Sequence, residues 1–157
     1  MIPHRRWRKP VKLRVRALPA VLFGLAAALA WDSSGTVRMG LLCAVLHEAG
    51  HLAAWTILFR RVPTVTLSLT GLCLSLRGEL PGKTQEILLA MAGPAVNLAL
   101  CILCLVWMEY VGGYTYPGYR FACVNLLLGA FNLLPLPGLD GGRLAAVLLD
   151  ELHFTGK

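Results

Sequence analysis

Charge is what this sequence has least of. Only 15% of its 157 residues are Asp, Glu, Lys or Arg, and just 8 are acidic. Soluble domains carry roughly 25% charged residues, so an ordinary water-facing globule is excluded. The scarcity is uneven as well. The formal net charge of +7 arises largely from seven Lys and Arg between Arg5 and Arg16, so the basic balance is local. No aromatic-interleaved basic face follows it, which speaks against nucleic acid as a partner and for an anchor beside anionic lipid. Cysteine is sparse too: Cys43, Cys73, Cys101, Cys104 and Cys123 all lie in or beside apolar stretches. An odd number so placed points to reduced, buried thiols, and the lone C-x-x-C at Cys101 and Cys104 reads as packing. Internal repeats and low-complexity tracts are missing, and the length suits one compact unit.

What the sequence has instead is apolar surface, 57% of its residues. Several runs approach or exceed a membrane span, so the expected fold is an α-helical polytopic membrane protein. About four transmembrane helices are expected, plus a short C-terminal helix and a small membrane-associated β-hairpin. Residues 1–16 form a basic cytoplasmic arm and 17–154 the membrane core of a single domain, 1–157.

The run from Val37 to Phe59 carries, besides Arg38, three ionisable residues: His47, Glu48 and His51. At about 100° per residue the two histidines share one helical face, with Glu48 one step around. This is the H-E-x-x-H arrangement, in which two imidazoles hold Zn²⁺ and the glutamate acts on water whose pKa the ion lowers from 15.7 to about 7. On a soluble helix the pattern would often be chance. Inside a run long enough to cross a core of about 30 Å, such groups are costly unless paired or ligated, and so mark function.

The remaining chain supplies the frame. Ala17 to Trp31 is a short first span, although Ala28-Leu29-Ala30 after the basic arm also resembles a signal-peptide cleavage site. Asp32 to Gly35 is an exterior turn, and the helix bearing the histidines runs back to Arg60-Arg61. The positive-inside rule puts the arm, Arg60, Arg61, Arg77 and Lys83 in the cytoplasm, with Asp32 and the Glu109 to Tyr119 loop outside. His51 and His47 then lie roughly 13 and 20 Å from the cytoplasmic end of their helix. Val62 to Arg77 alternates Ser and Thr with Val and Leu, a hairpin turning at Thr70-Gly71 whose edge could hold an unwound substrate. Thr84 to Glu109 is the third span: Gly93-Pro94 should kink it and admit a close neighbour, and Asn97 places an amide at membrane depth. The fourth span, Tyr119 to Leu134, passes Asn125 and Asn132 and stops at Pro135. Arg143 to Phe154 follows as a short amphipathic helix.

Two histidines leave a catalytic zinc one protein ligand short, and a carboxylate is a usual third. Glu109 is on the wrong side, Glu86 sits at a helix start, and Asp150 and Glu151 belong to a polar C-terminal face. Asp140, in the Pro- and Gly-rich stretch from Pro135 to Arg143, returns on the side from which the histidines are reached and is the best candidate.

With these residues in order the chain resembles the site-2 proteases, intramembrane zinc metalloproteases. The resemblance rests on HEAGH at His47 to His51, G-P-x-x-N at Gly93 to Asn97, and N-x-x-P followed by L-D-G-G at Asn132 to Gly142. It covers about Val37 to Leu148 and is nearest in size to the sporulation-protease branch. The resemblance implies that His47, His51 and Asp140 bind one Zn²⁺, that Glu48 is the general base, and that Asn97, with Gly93 and Pro94, lies at the substrate. It further implies a transmembrane protein substrate, a bacterial cell membrane, and a regulatory membrane partner or homo-oligomer to complete a minimal core. Leu136-Pro137-Gly138-Leu139 departs from the family pattern by one residue just before Asp140. The rival expectation is an inactive relative that scaffolds or handles metal.

Overall fold

The computed structural model describes residues 13–15, 18–60, 64–68, 71–75 and 82–155. They form a mostly helical fold: β1 (Leu13–Val15), α1 (Leu18–Ala30), α2 (Thr36–Phe59), β2 (Thr64–Ser68), β3 (Gly71–Ser75), α3 (Lys83–Trp107), α4 (Tyr116–Asn132) and α5 (Asp140–Thr155). A π-helical turn, Met108–Gly112, prolongs α3. α3 is the central element, packed against α2, α4 and α5, whereas α1 touches α2 only sparingly.

Helix periodicity decides what faces inward. On α2 the buried residues are Cys43, His47, Gly50, His51 and Trp55, spacings of three and four that make one stripe. On α3 the matching stripe is Leu89, Ala90, Gly93, Pro94, Asn97 and Cys101. Where the stripes meet, the helices nearly touch. A Cβ added at Gly50 would stand 2.8 Å from Val96 Cγ2 and 2.9 Å from the Ala92 carbonyl oxygen, the close approach that small residues allow between membrane helices.

The interior is more polar than much of the surface. His47, His51, Asn97, Asn125 and Asp140 are buried, while Phe23, Ile57, Leu103 and Leu127 are among the large apolar side chains left exposed. Such an inversion suits lipid as the solvent. Among the described residues two helices, Thr36–Phe59 and α3 with its π turn through Gly112, are long and apolar enough to cross a membrane.

At one end of the bundle, Asp32 accepts a hydrogen bond from the Arg38 backbone N–H at 3.0 Å, and the Arg120 guanidinium donates to the Ser34 carbonyl. The turn before α2 is thereby tied to α4. Thr115 caps α4 by accepting from Gly118 N–H at 3.2 Å, and Tyr114 stacks on Tyr119 with 5.5 Å between ring centroids. α2 ends at Arg60, whose φ of 51° lets its N–H reach Thr56 O at 3.0 Å.

Several boundaries differ from the sequence expectation. Part of the basic arm is not free: Leu13–Val15 pairs parallel with β2, Leu13 opposite Val65. The alternation Val11-Lys12-Leu13-Arg14-Val15 carries that strand signal. β2 and β3 pair antiparallel from Thr64 opposite Ser75 to Ser68 opposite Gly71, so Gly71 belongs to a strand; Thr70 lies outside the described residues. α3 runs unbroken through Pro94. α5 starts three residues earlier than expected, at Asp140, because Gly141 and Gly142 fold tightly under the preceding loop. A Cβ on Gly141 would collide with the Leu133 carbonyl, and one on Gly142 with that of Leu136.

Candidate functional site

Three side chains far apart in the chain converge inside this frame. His47 and His51 project from one face of α2, and Asp140 arrives from the first turn of α5. His47 Nε2 lies 3.0 Å from Asp140 Oδ2, His51 Nε2 lies 3.1 Å from the same oxygen, and the two Nε2 atoms are 3.1 Å apart. All three residues are buried. Burial pushes the Asp140 carboxyl up, but its contacts with His47 and His51 outweigh burial and hold it at about 2. Asp140 is thus an anion at neutral pH.

The backbone sets the histidine tautomer. His51 Nδ1 lies 2.8 Å from the Leu89 carbonyl oxygen, an acceptor only, so Nδ1 carries the proton and Nε2 presents its lone pair to the centre. Two imidazole nitrogens and a carboxylate oxygen facing one another at such distances call for a cation between them. Tetrahedral ligands about 2.0–2.1 Å from Zn²⁺ stand roughly 3.3 Å from each other. The donor set and spacing therefore fit a metal ion held by His47, His51 and Asp140.

Gly93 makes this geometry possible. A side chain there would run into the Nε2 atoms of both His51 and His47, so α3 can lie against the two rings only because this residue has none. Gly93 and Pro94 are buried in the helix interface. Asn97 is wholly buried, with Nδ2 3.5 Å from the Asn125 carbonyl oxygen. In this conformation Asn97 has no surface to offer a substrate. Glu48, expected beside the histidines, is half-buried and lies within Coulombic reach of His51, His47 and Asp140.

The other acids take the places expected of bystanders. Glu86 is in the first turn of α3, 3.9 Å from the Arg143 guanidinium, and Asp150 pairs with Lys83 at 3.0 Å on the surface. Sequence reasoning missed Leu89, whose role is played by a backbone carbonyl and has no side-chain signature. It also missed Gly50, although a glycine in mid-helix of a membrane run is a usable sign of close helix approach. Asn125 and Cys43 were seen only as polar or packing residues, yet Asn125 Nδ2 reaches Cys43 Sγ at 3.2 Å.

The profile of peptidase family M50 matches residues 111–155, the stretch holding Asn125, Asn132 and Asp140. Rip3 of Mycobacterium tuberculosis, a protein named as a zinc metalloprotease, is 35% identical over 143 residues, covering 87% of this chain. The chain spans only 36% of the length of Rip3. Rip2 of the same organism, likewise named, is 32% identical over 169 residues, covering 76% of this chain and 65% of its own length. The solved site-2 protease from Methanocaldococcus jannaschii superposes with a TM-score of 0.61 over 94% of this chain and 72% of that one. At 22% identity the likeness is one of fold.

Proposed function

The chain belongs to peptidase family M50, the site-2 proteases, and on that premise we propose that it is a zinc-dependent intramembrane endopeptidase. Its substrates are membrane-tethered proteins, cut in or next to a transmembrane segment. One observation carries the reading: His47, His51 and Asp140 meet at 3.0–3.1 Å inside apolar helices, with Glu48 on the same helix as both histidines.

Zn²⁺ bound by His47, His51 and Asp140 supplies Lewis-acid polarisation of the scissile carbonyl and makes water acidic enough to be used at neutral pH. The chain's own residues do the rest. Glu48 takes a proton from the attacking water and returns it to the leaving amine. Leu89 fixes the His51 ring through Nδ1, and Asp140 offsets part of the 2+ charge that two neutral imidazoles leave untouched. Water enters from the cytoplasmic side, because hydrocarbon cannot supply it.

In this reading α1, α2, α3 and α4 are the spans, with α1 short enough to require local thinning. The sheet lies at the membrane interface, and an extended substrate segment adds to its open edge. The N-terminus is cytoplasmic, the membrane is that of a bacterial cell, and a regulatory partner or second copy completes the enzyme's wall. Cysteine labelling from one side tests the orientation: positions 60 and 83 should react from the cytoplasm and position 114 from outside. A cytoplasmic position 114 refutes both the four-span arrangement and the side of water entry.

A further inference from the structure

Three buried atoms beside the site have no partner within it. Among the described residues His47 Nδ1, Asn97 Oδ1 and Asn125 Oδ1 each lack a hydrogen-bond partner, and both asparagines are wholly buried. Asn97 on α3 adjoins Asn125 on α4, and Asn125 reaches α2 one helical turn from His47. Cys43, one helical turn before His47, accepts from Asn125 Nδ2 at 3.2 Å. Asn97 lies one turn beyond Gly93, whose backbone abuts the His47 ring, and its Cβ is 3.3 Å from the position a Gly129 Cβ would take.

The amide orientations are set by their acceptors. Asn125 Nδ2 donates to the Phe121 carbonyl at 2.9 Å and Asn97 Nδ2 to the Asn125 carbonyl at 3.5 Å, bonds that an amide oxygen could not make. Both Oδ1 atoms are therefore left as acceptors, and buried polar atoms are rarely left unsatisfied. The two histidines differ in the same respect. His51 has the Leu89 carbonyl for its Nδ1, and His47 has no such partner among the described residues, although metal-ligating imidazoles almost always donate their second N–H to a carbonyl, carboxylate or water.

One donor and two acceptors match a single water molecule, which can accept from His47 Nδ1–H and donate to Asn97 Oδ1 and Asn125 Oδ1. We propose that a buried water held by Asn97 and Asn125 is the outer partner of His47, making both asparagines positioning residues of the metal site. This rests on the metal reading above and gives Asn97 a task other than touching substrate.

Zinc titration of the full chain in detergent, together with the visible spectrum of its Co²⁺ form, tests the assignment. Asn97→Leu and Asn125→Leu should each weaken zinc binding about 10–100-fold and shift the Co²⁺ bands. Asn97→Asp keeps an acceptor and should hold its affinity. Cys43→Ala removes the contact of Asn125 with α2 but neither acceptor, and should bind zinc like the wild type. Leucine variants with wild-type affinity and unshifted bands would overturn the proposal. So would equal losses in all four variants, which would assign the effect to helix packing. A wild-type chain that binds no zinc refutes the metal reading itself, and that result needs no variant.

Discussion

Gly93 and His51 sit so close that a Cβ on the glycine would overlap the imidazole Nε2. The consequence is sharp for a one-carbon change. Gly93→Ala forces α3 away from α2 or turns the rings off the centre, an overpacking cost of about 1–3 kcal/mol. Zinc occupancy and hydrolysis should both fall, while Ala95→Gly on the exposed side of α3 leaves occupancy unchanged. Zinc content after purification checks it. A Gly93→Ala protein with one zinc per chain contradicts the close approach.

Much of this site was legible in the sequence. His47 and His51 were readable because helical spacing fixes their common face before any tertiary contact forms. Asp140 was readable by elimination, because so few acids compete for the role. The clearance function of Gly93 was only half visible: a glycine next to a proline announces close packing but not what packs there. Leu89 was invisible, since its contribution is a carbonyl that every residue possesses. The early start of α5 was obscured because Gly141 and Gly142 look like helix breakers in sequence, whereas the colliding Leu133 and Leu136 carbonyls that require them belong to tertiary structure. β1 is masked by its charge: Lys12 and Arg14 alternate with Val11, Leu13 and Val15 in a stretch whose basic composition suits an anchor beside anionic lipid equally well.

Asp140 and Asp150 lie on one helix and should behave differently. Asp140→Asn keeps the shape but removes the anion that faces His47 and His51 at 3.0 and 3.1 Å. Zinc affinity should fall by at least the roughly 10–100-fold typical of losing an outer partner, with activity partly restored by excess zinc. Asp150 is 57% exposed in its pair with Lys83, and such pairs contribute about 0–1 kcal/mol. Asp150→Asn should leave affinity unchanged. Zinc titration of the two variants side by side decides between them.

Asp32 gives a pH prediction remote from the metal. The Arg38 backbone N–H leads the contacts that hold its carboxyl below the usual carboxylate value. A depressed folded-state pKa gives stability that is present above the unfolded value, near 3.8, and lost as pH falls through the folded one. Asp32→Ala should therefore lower the melting temperature at pH 7, and the gap to wild type should narrow below about pH 4. Melting in detergent across that range measures it; a gap that widens on acidification contradicts the role given to Asp32.

Glu48 carries the central claim, because it is assigned to water and not to the metal. Wild type and Glu48→Gln should be incubated with the same single-span membrane substrate, and zinc measured in both preparations. The account predicts that the variant retains about one zinc per chain, as the ligand set of His47, His51 and Asp140 requires, and yields no cleavage product. Cleavage by Glu48→Gln at a rate near that of wild type would contradict it.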